Sequence, residues 1–140
     1  MTTAQTTQRA DVVGTLLTAA IVLLALASGY IHTTLGQWYF YLNAIGYLTL
    51  AILMILPVGL ARRFRWLIRL ALLGYALGSI VMWLIFGARF DLAYLDKGIE
   101  IVMILLLLVV IYRSDGGPRG VVAHLRGLPA ELSSLRGGGR

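Results

Sequence analysis

The stretch Arg89-Phe90-Asp91-Leu92-Ala93-Tyr94-Leu95-Asp96-Lys97-Gly98-Ile99-Glu100 runs without a break into the apolar segment Ile101 to Tyr112. Five of its twelve residues are formally charged, yet it abuts the most lipid-like part of the chain. The apolar run alone makes ~18 Å of helix, against the ~30 Å that a bilayer core requires. A spanning helix therefore has to start upstream, near Leu92 with Asp91 as its N-cap, which gives ~31 Å. That reading puts Asp96, Lys97 and Glu100 inside a membrane-spanning helix.

The rest of the composition agrees. Of the 140 residues, 59% are hydrophobic and 13% charged, and the mean hydropathy is +0.86, well above ordinary soluble domains. With no cysteine, disulfides, iron–sulfur clusters, c-type haem attachment and thiolate chemistry are excluded. A net charge of +6 raises nucleic acid as a partner, but the positive charges flank apolar segments, which points to the lipid bilayer instead.

Four spans are expected, at about 12–31, 39–58, 66–86 and 92–112, in an all-α transmembrane bundle. Residues 1–11 read as a mobile tail. Residues 113–140 read as a basic tail in which Val121, Leu125, Leu128, Leu132 and Leu135 recur at helical spacing, as in an interfacial amphipathic helix. A signal peptide cut after Ala27 is the rival reading of the first span, because Ala25-Leu26-Ala27 precedes Ser28. Trp38 to Tyr41 form an aromatic cluster suited to a headgroup boundary, and Pro57 is tolerable near the end of the second span. Ten of the 12 basic residues, all but Arg89 and Lys97, fall on one side of this arrangement. That side is cytoplasmic by the positive-inside rule, so both termini are cytoplasmic, and Arg62, Arg63, Arg65, Arg119 and Arg126 lie at the membrane surface. Arg69 is close enough to a helix start to snorkel to the interface.

Small residues mark the faces on which helices approach in lipid. Ala25, Ser28 and Gly29 share a face with His32; Asn43, Gly46, Tyr47 and Ala51 share another; Ala71, Gly74, Gly78 and Met82 form a third. Counting inward from the outer boundary puts Asn43 at ~6 Å, Tyr47 and Glu100 at ~12 Å and His32 near the surface. The candidate polar site is thus His32, Asn43, Tyr47, Asp96, Lys97 and Glu100 in the outer half of the bundle. A charge facing lipid costs about 2.5 kcal/mol or more near the bilayer centre, so Glu100 is expected to point inward with Lys97 beside it. A structural ion pair and a functional site are both open readings of that pair.

No catalytic motif is present. Ser28 and Ser79 read as packing residues, and His124 as a solvated tail residue. No cofactor is indicated: the two histidines, His32 and His124, are expected at opposite ends, against a two-histidine haem, and His32, Asp91, Asp96 and Glu100 offer metal donors without diagnostic spacing.

Tyr30-Ile31-His32 before Leu35-Gly36, the segment Asn43-Ala44-Ile45-Gly46-Tyr47, and Asp96-Lys97 with Ile99-Glu100 together resemble small four-helix prokaryotic membrane proteins of unassigned function, over residues 12 to 112. The resemblance implies four helices and groups His32, Lys97 and Glu100, but carries no activity. The first functional expectation is a non-enzymatic accessory or scaffold subunit docking to other membrane protein subunits. The second is a small transporter or channel, as a homo-oligomer, using Lys97 and Glu100; the third is a redox or quinone-handling subunit built around His32.

Overall fold

The computed structural model describes the backbone of residues 3–137 and the side chains of residues 12–135. Among the described residues the chain is entirely helical. Its elements are α1 (Thr3–Thr34), α2 (Trp38–Ile55), α3 (Gly59–Arg63), α4 (Arg65–Phe86), α5 (Asp91–Ser114) and α6 (Gly117–Gly137). Three segments are long and apolar enough to cross a membrane: Val12–Thr34, Trp38–Ile55 and Arg65–Phe86, with mean hydropathies of 2.2, 1.5 and 1.9. α5 has 24 residues, ~36 Å, but carries Asp96, Lys97 and Glu100 within its first half.

Burial is inverted relative to a water-soluble bundle. Ser28, His32, Arg69, Asp96, Lys97 and Glu100 are buried, while Leu16, Leu23, Ile85 and Leu105 lie 56–66% exposed. Water penalises that arrangement and hydrocarbon favours it, so the exposed apolar surface is a lipid-facing one. α5 shows this along its length: Ala93, Asp96, Lys97, Glu100, Met103, Leu107 and Val110 form its buried stripe, and Leu95, Ile101, Val102, Leu105 and Leu108 its exposed one.

α1 packs between α2 and α5, and α4 closes the ring against α5 and, less extensively, α2. The core comprises Ile21, Val22 and Ala25 of α1, Tyr47, Ala51 and Met54 of α2, Ile68, Leu72 and Ala76 of α4, and Met103, Leu107 and Val110 of α5. α1 runs unbroken through the Ala27–Ser28 bond and supplies core residues from the segment that a cut there would remove. It reaches back to Thr3, into the stretch read from sequence as a tail.

The boundaries follow from local chemistry. Gly36 turns α1 into α2 at φ +74°, where a side chain would be strained. α2 stops at Ile55, three residues short of the expected end, because Leu56 before Pro57 is extended (ψ 123°) as sterics at proline require. The basic turn after it forms the short α3. Phe90, not Asp91, is the N-cap of α5; Asp91 lies in the first turn, where its charge meets the positive end of the helix dipole.

α4 is rotated from the expected setting. Trp66, Ile68, Arg69, Leu72 and Ala76 face inward, Met82 is 57% exposed, and a Cβ placed on Gly74 or Gly78 would meet nothing within 4 Å. The close helix contacts lie elsewhere: a Cβ on Gly29 would sit 3.4 Å from Ala44 O and from Tyr47 Cβ, and one on Gly46 would overlap the Tyr75 ring.

At the other end of the bundle Arg69 does not snorkel outward. Its Nη1 donates to Asp115 Oδ1 at 2.7 Å, with both side chains at least nine-tenths buried. Gly116 and Gly117, at φ 75° and 65°, then reverse the chain into α6. α6 is a continuous helix with Pro129 inside it. It rests on α3 and α4 through Arg63 Nη2, which donates to Ser134 Oγ at 3.1 Å, and through His124, which lies on the Trp66 ring at 5.1 Å instead of in solvent. Val122, Leu125, Leu132 and Leu135 remain exposed.

Candidate functional site

Four helices contribute polar side chains to one buried cluster. α1 brings Ser28 and His32, one turn apart on its inner face; α2 brings Tyr47; α4 brings Ser79; α5 brings Asp96, Lys97 and Glu100. The i, i+1, i+4 spacing on α5 puts all three of its ionisable groups on the inward side, as desolvation demands.

The Lys97 ammonium donates to Ser79 Oγ at 2.8 Å and to Glu100 Oε2 at 2.7 Å, and it pairs with Asp96 Oδ2 at 2.9 Å. Glu100 is 0% exposed, and its other oxygen accepts from Tyr47 Oη at 2.6 Å. Lys97 and Glu100 therefore form a buried ion pair in which each partner has a further hydrogen bond. Asp96 Oδ1 accepts from Ser28 Oγ at 2.7 Å. Tyr47 also holds the His32 ring at 5.8 Å and the Tyr75 ring at 5.0 Å, edge-on to the latter.

His32 is different. Its Nδ1 lies 2.8 Å from the carbonyl oxygen of Ser28, which can only accept, so Nδ1 carries a proton. Nε2 is left facing Asp96 Oδ2 at 3.7 Å, too far for a hydrogen bond and, with a neutral imidazole, lone pair against lone pair. His32 is 3% exposed and lines the cavity described next, and no hydrogen-bond partner of Nε2 is found among the described residues.

Above it is a cavity of about 890 Å³ between α2 and α4. His32, Ser79, Asp96 and Lys97 line its polar end, and Tyr39, Phe40, Tyr75, Trp83, Phe86 and Phe90 supply aromatic walls. Gly74 and Gly78 line it as well, so their missing side chains create space instead of helix contact. Glu100 and Tyr47 do not line it; they are the layer beneath. At the rim the Arg89 guanidinium stacks on Trp83 at 4.1 Å.

Of the residues expected at the site, His32, Tyr47, Asp96, Lys97 and Glu100 converge. Asn43 lines the cavity, and it is its carbonyl oxygen, not its side chain, that accepts from Tyr75 Oη at 3.2 Å. Ser28 and Ser79, read from sequence as packing residues, are members of the hydrogen-bond network. Ser28 had a legible signal, lying four residues before His32 on the same face; Ser79 had none, being set by the rotation of α4. His32, Asp96 and Glu100 each offer a metal-donor atom within 4.8 Å of one another, but the Lys97 ammonium already sits between the two carboxylates and supplies the positive charge an ion would bring.

Compared with known protein families, curated proteins and solved structures, the chain matches none significantly.

Proposed function

We propose that the chain is a four-span protein of a prokaryotic cytoplasmic membrane, with both termini cytoplasmic, that binds a small amphipathic molecule from the outer half of the bilayer in the manner of a small transporter. The observation that carries this reading is the cavity of about 890 Å³ with aromatic walls and His32 and Asp96 at its polar end. That size and that mixture of apolar wall with a few convergent polar groups suit a small-molecule site. An accessory or scaffold subunit needs its polar cluster only as an internal clasp; Glu100 and Tyr47 meet that description, whereas His32, Asp96 and Lys97 line open space.

α5 serves as the fourth span because its three intramembrane charges are buried and its lipid-facing stripe is apolar. α6 lies along the cytoplasmic surface, its exposed Val122, Leu125, Leu132 and Leu135 in the headgroup boundary and Arg119 and Arg126 toward anionic lipid. Cysteine labels at Gln37 and Ala88, both exposed, are expected to react with an impermeant reagent from outside, and a reporter fused after Arg113 to read cytoplasmic. Labelling of α6 from outside would overturn this topology.

Filling the cavity tests the binding reading. Gly78→Leu adds a side chain where a Cβ meets nothing within 4 Å, so helicity and thermal stability should change little. Calorimetric titration with 4-phenylbutylammonium, 4-phenylbutanol and 4-phenylbutyrate should show at least one of them binding the unmodified protein, with binding lost in Gly78→Leu. Absence of binding by all three, or binding unaffected by the substitution, would remove the ligand-binding reading.

A further inference from the structure

We infer that the ligand of this cavity is a lipophilic organic ammonium ion, held between Asp96 and His32; this rests on the ligand-binding reading above. Two independent observations carry it. The first is charge. Asp96, Glu100 and Lys97 together leave one negative charge when His32 is neutral, and none when it is protonated. The second is the His32 Nε2, which faces Asp96 Oδ2 at 3.7 Å at the polar end of the cavity without a hydrogen bond between them. Both atoms are acceptors in the neutral state. What completes them is a donor carrying one positive charge, either a proton or an ammonium N–H.

The groups facing His32 fix the charge of the site. From α5 these are Asp96, Lys97 and Glu100; from α2, Tyr47; from α4, Tyr75 and Ser79, which carry no charge at neutral pH. Arg89, stacked on Trp83, is at the rim and not at the polar end. The Lys97 ammonium is set against two carboxylates, Glu100 at 2.7 Å and Asp96 at 2.9 Å, so an anionic ligand would meet the net negative charge of the cluster. The aromatic walls accept the apolar body of the ligand and stabilise a cation by their ring faces.

The unmodified full chain in detergent, titrated with the same three phenylbutyl compounds, separates the possibilities. 4-Phenylbutylammonium should bind, the neutral alcohol about tenfold or more weaker, and the carboxylate not at all. His32→Gln should bind the ammonium about tenfold more weakly; Asp96→Asn should lose binding while keeping its helical circular dichroism. The alcohol or carboxylate binding as well as the ammonium would overturn this inference while leaving the ligand-binding reading intact. Failure of all three compounds would remove both. Ammonium binding unchanged in His32→Gln and Asp96→Asn would overturn the placement of the cation between these two groups.

Discussion

Lys97→Met is expected to destabilise the bundle by about 3–5 kcal/mol, the largest effect of any single substitution in the outer half. Methionine fills the volume of the lysine stem, so packing is not the cause. The loss is electrostatic: Asp96 and Glu100 keep Ser28 and Tyr47 as donors but lose the ammonium that holds one oxygen of each, at 2.9 and 2.7 Å. Two carboxylates in a desolvated layer then share no positive charge, while Glu100, at 0% exposure, cannot turn toward water. Combining Lys97→Met with Glu100→Gln should recover about 1–3 kcal/mol, since Gln can still accept from Tyr47 and brings no charge. Unfolding titrations in mixed micelles would measure the cycle. Full additivity of the two substitutions would show that the pair is not coupled.

The second large effect is expected at the opposite end. Arg69→Met leaves Asp115 buried and unpaired, with Oδ2 lacking a hydrogen-bond partner even in the intact protein, and should cost about 3–5 kcal/mol. Asp115 also sits at the C-terminus of α5, where the helix dipole disfavours a negative charge, so the arginine offsets two penalties at once. Because Gly116 and Gly117 follow directly, the damage should extend to α6: protease cleavage between Ser114 and Gly120 should accelerate well before the bundle unfolds. The double substitution Arg69→Met, Asp115→Leu should restore most of the stability, since an apolar pair of similar volume removes both charges. Cleavage unchanged in Arg69→Met would show that the ion pair does not hold the α5–α6 turn.

The two ion pairs differ in how far sequence could reach them. Lys97 and Glu100 are three residues apart on one helix, so the periodicity of α5 alone brings them together, and desolvation alone turns them inward. Arg69 and Asp115 are 46 positions apart, and Ser28 and Asp96 are 68 apart. No local pattern pairs them.

By itself the sequence determined that the chain is helical and carries apolar segments long enough to cross a membrane, that α5 joins a charged stretch to an apolar run, and that this charge faces protein. Each follows from one-dimensional quantities: hydropathy summed over a span length, helical period, and the sign of a transfer free energy. Tertiary structure decided the rotation of α4, and through it the site. Small residues permit close approach but do not say which neighbour approaches, and in lipid both faces of an apolar helix are tolerated. With Leu72 and Ala76 in the core, Gly74 and Gly78 open a cavity instead of closing a contact. The same rotation brings Ser79 to Lys97 and puts His32, Asp96 and Lys97 on the wall of that cavity, with Glu100 in the layer beneath.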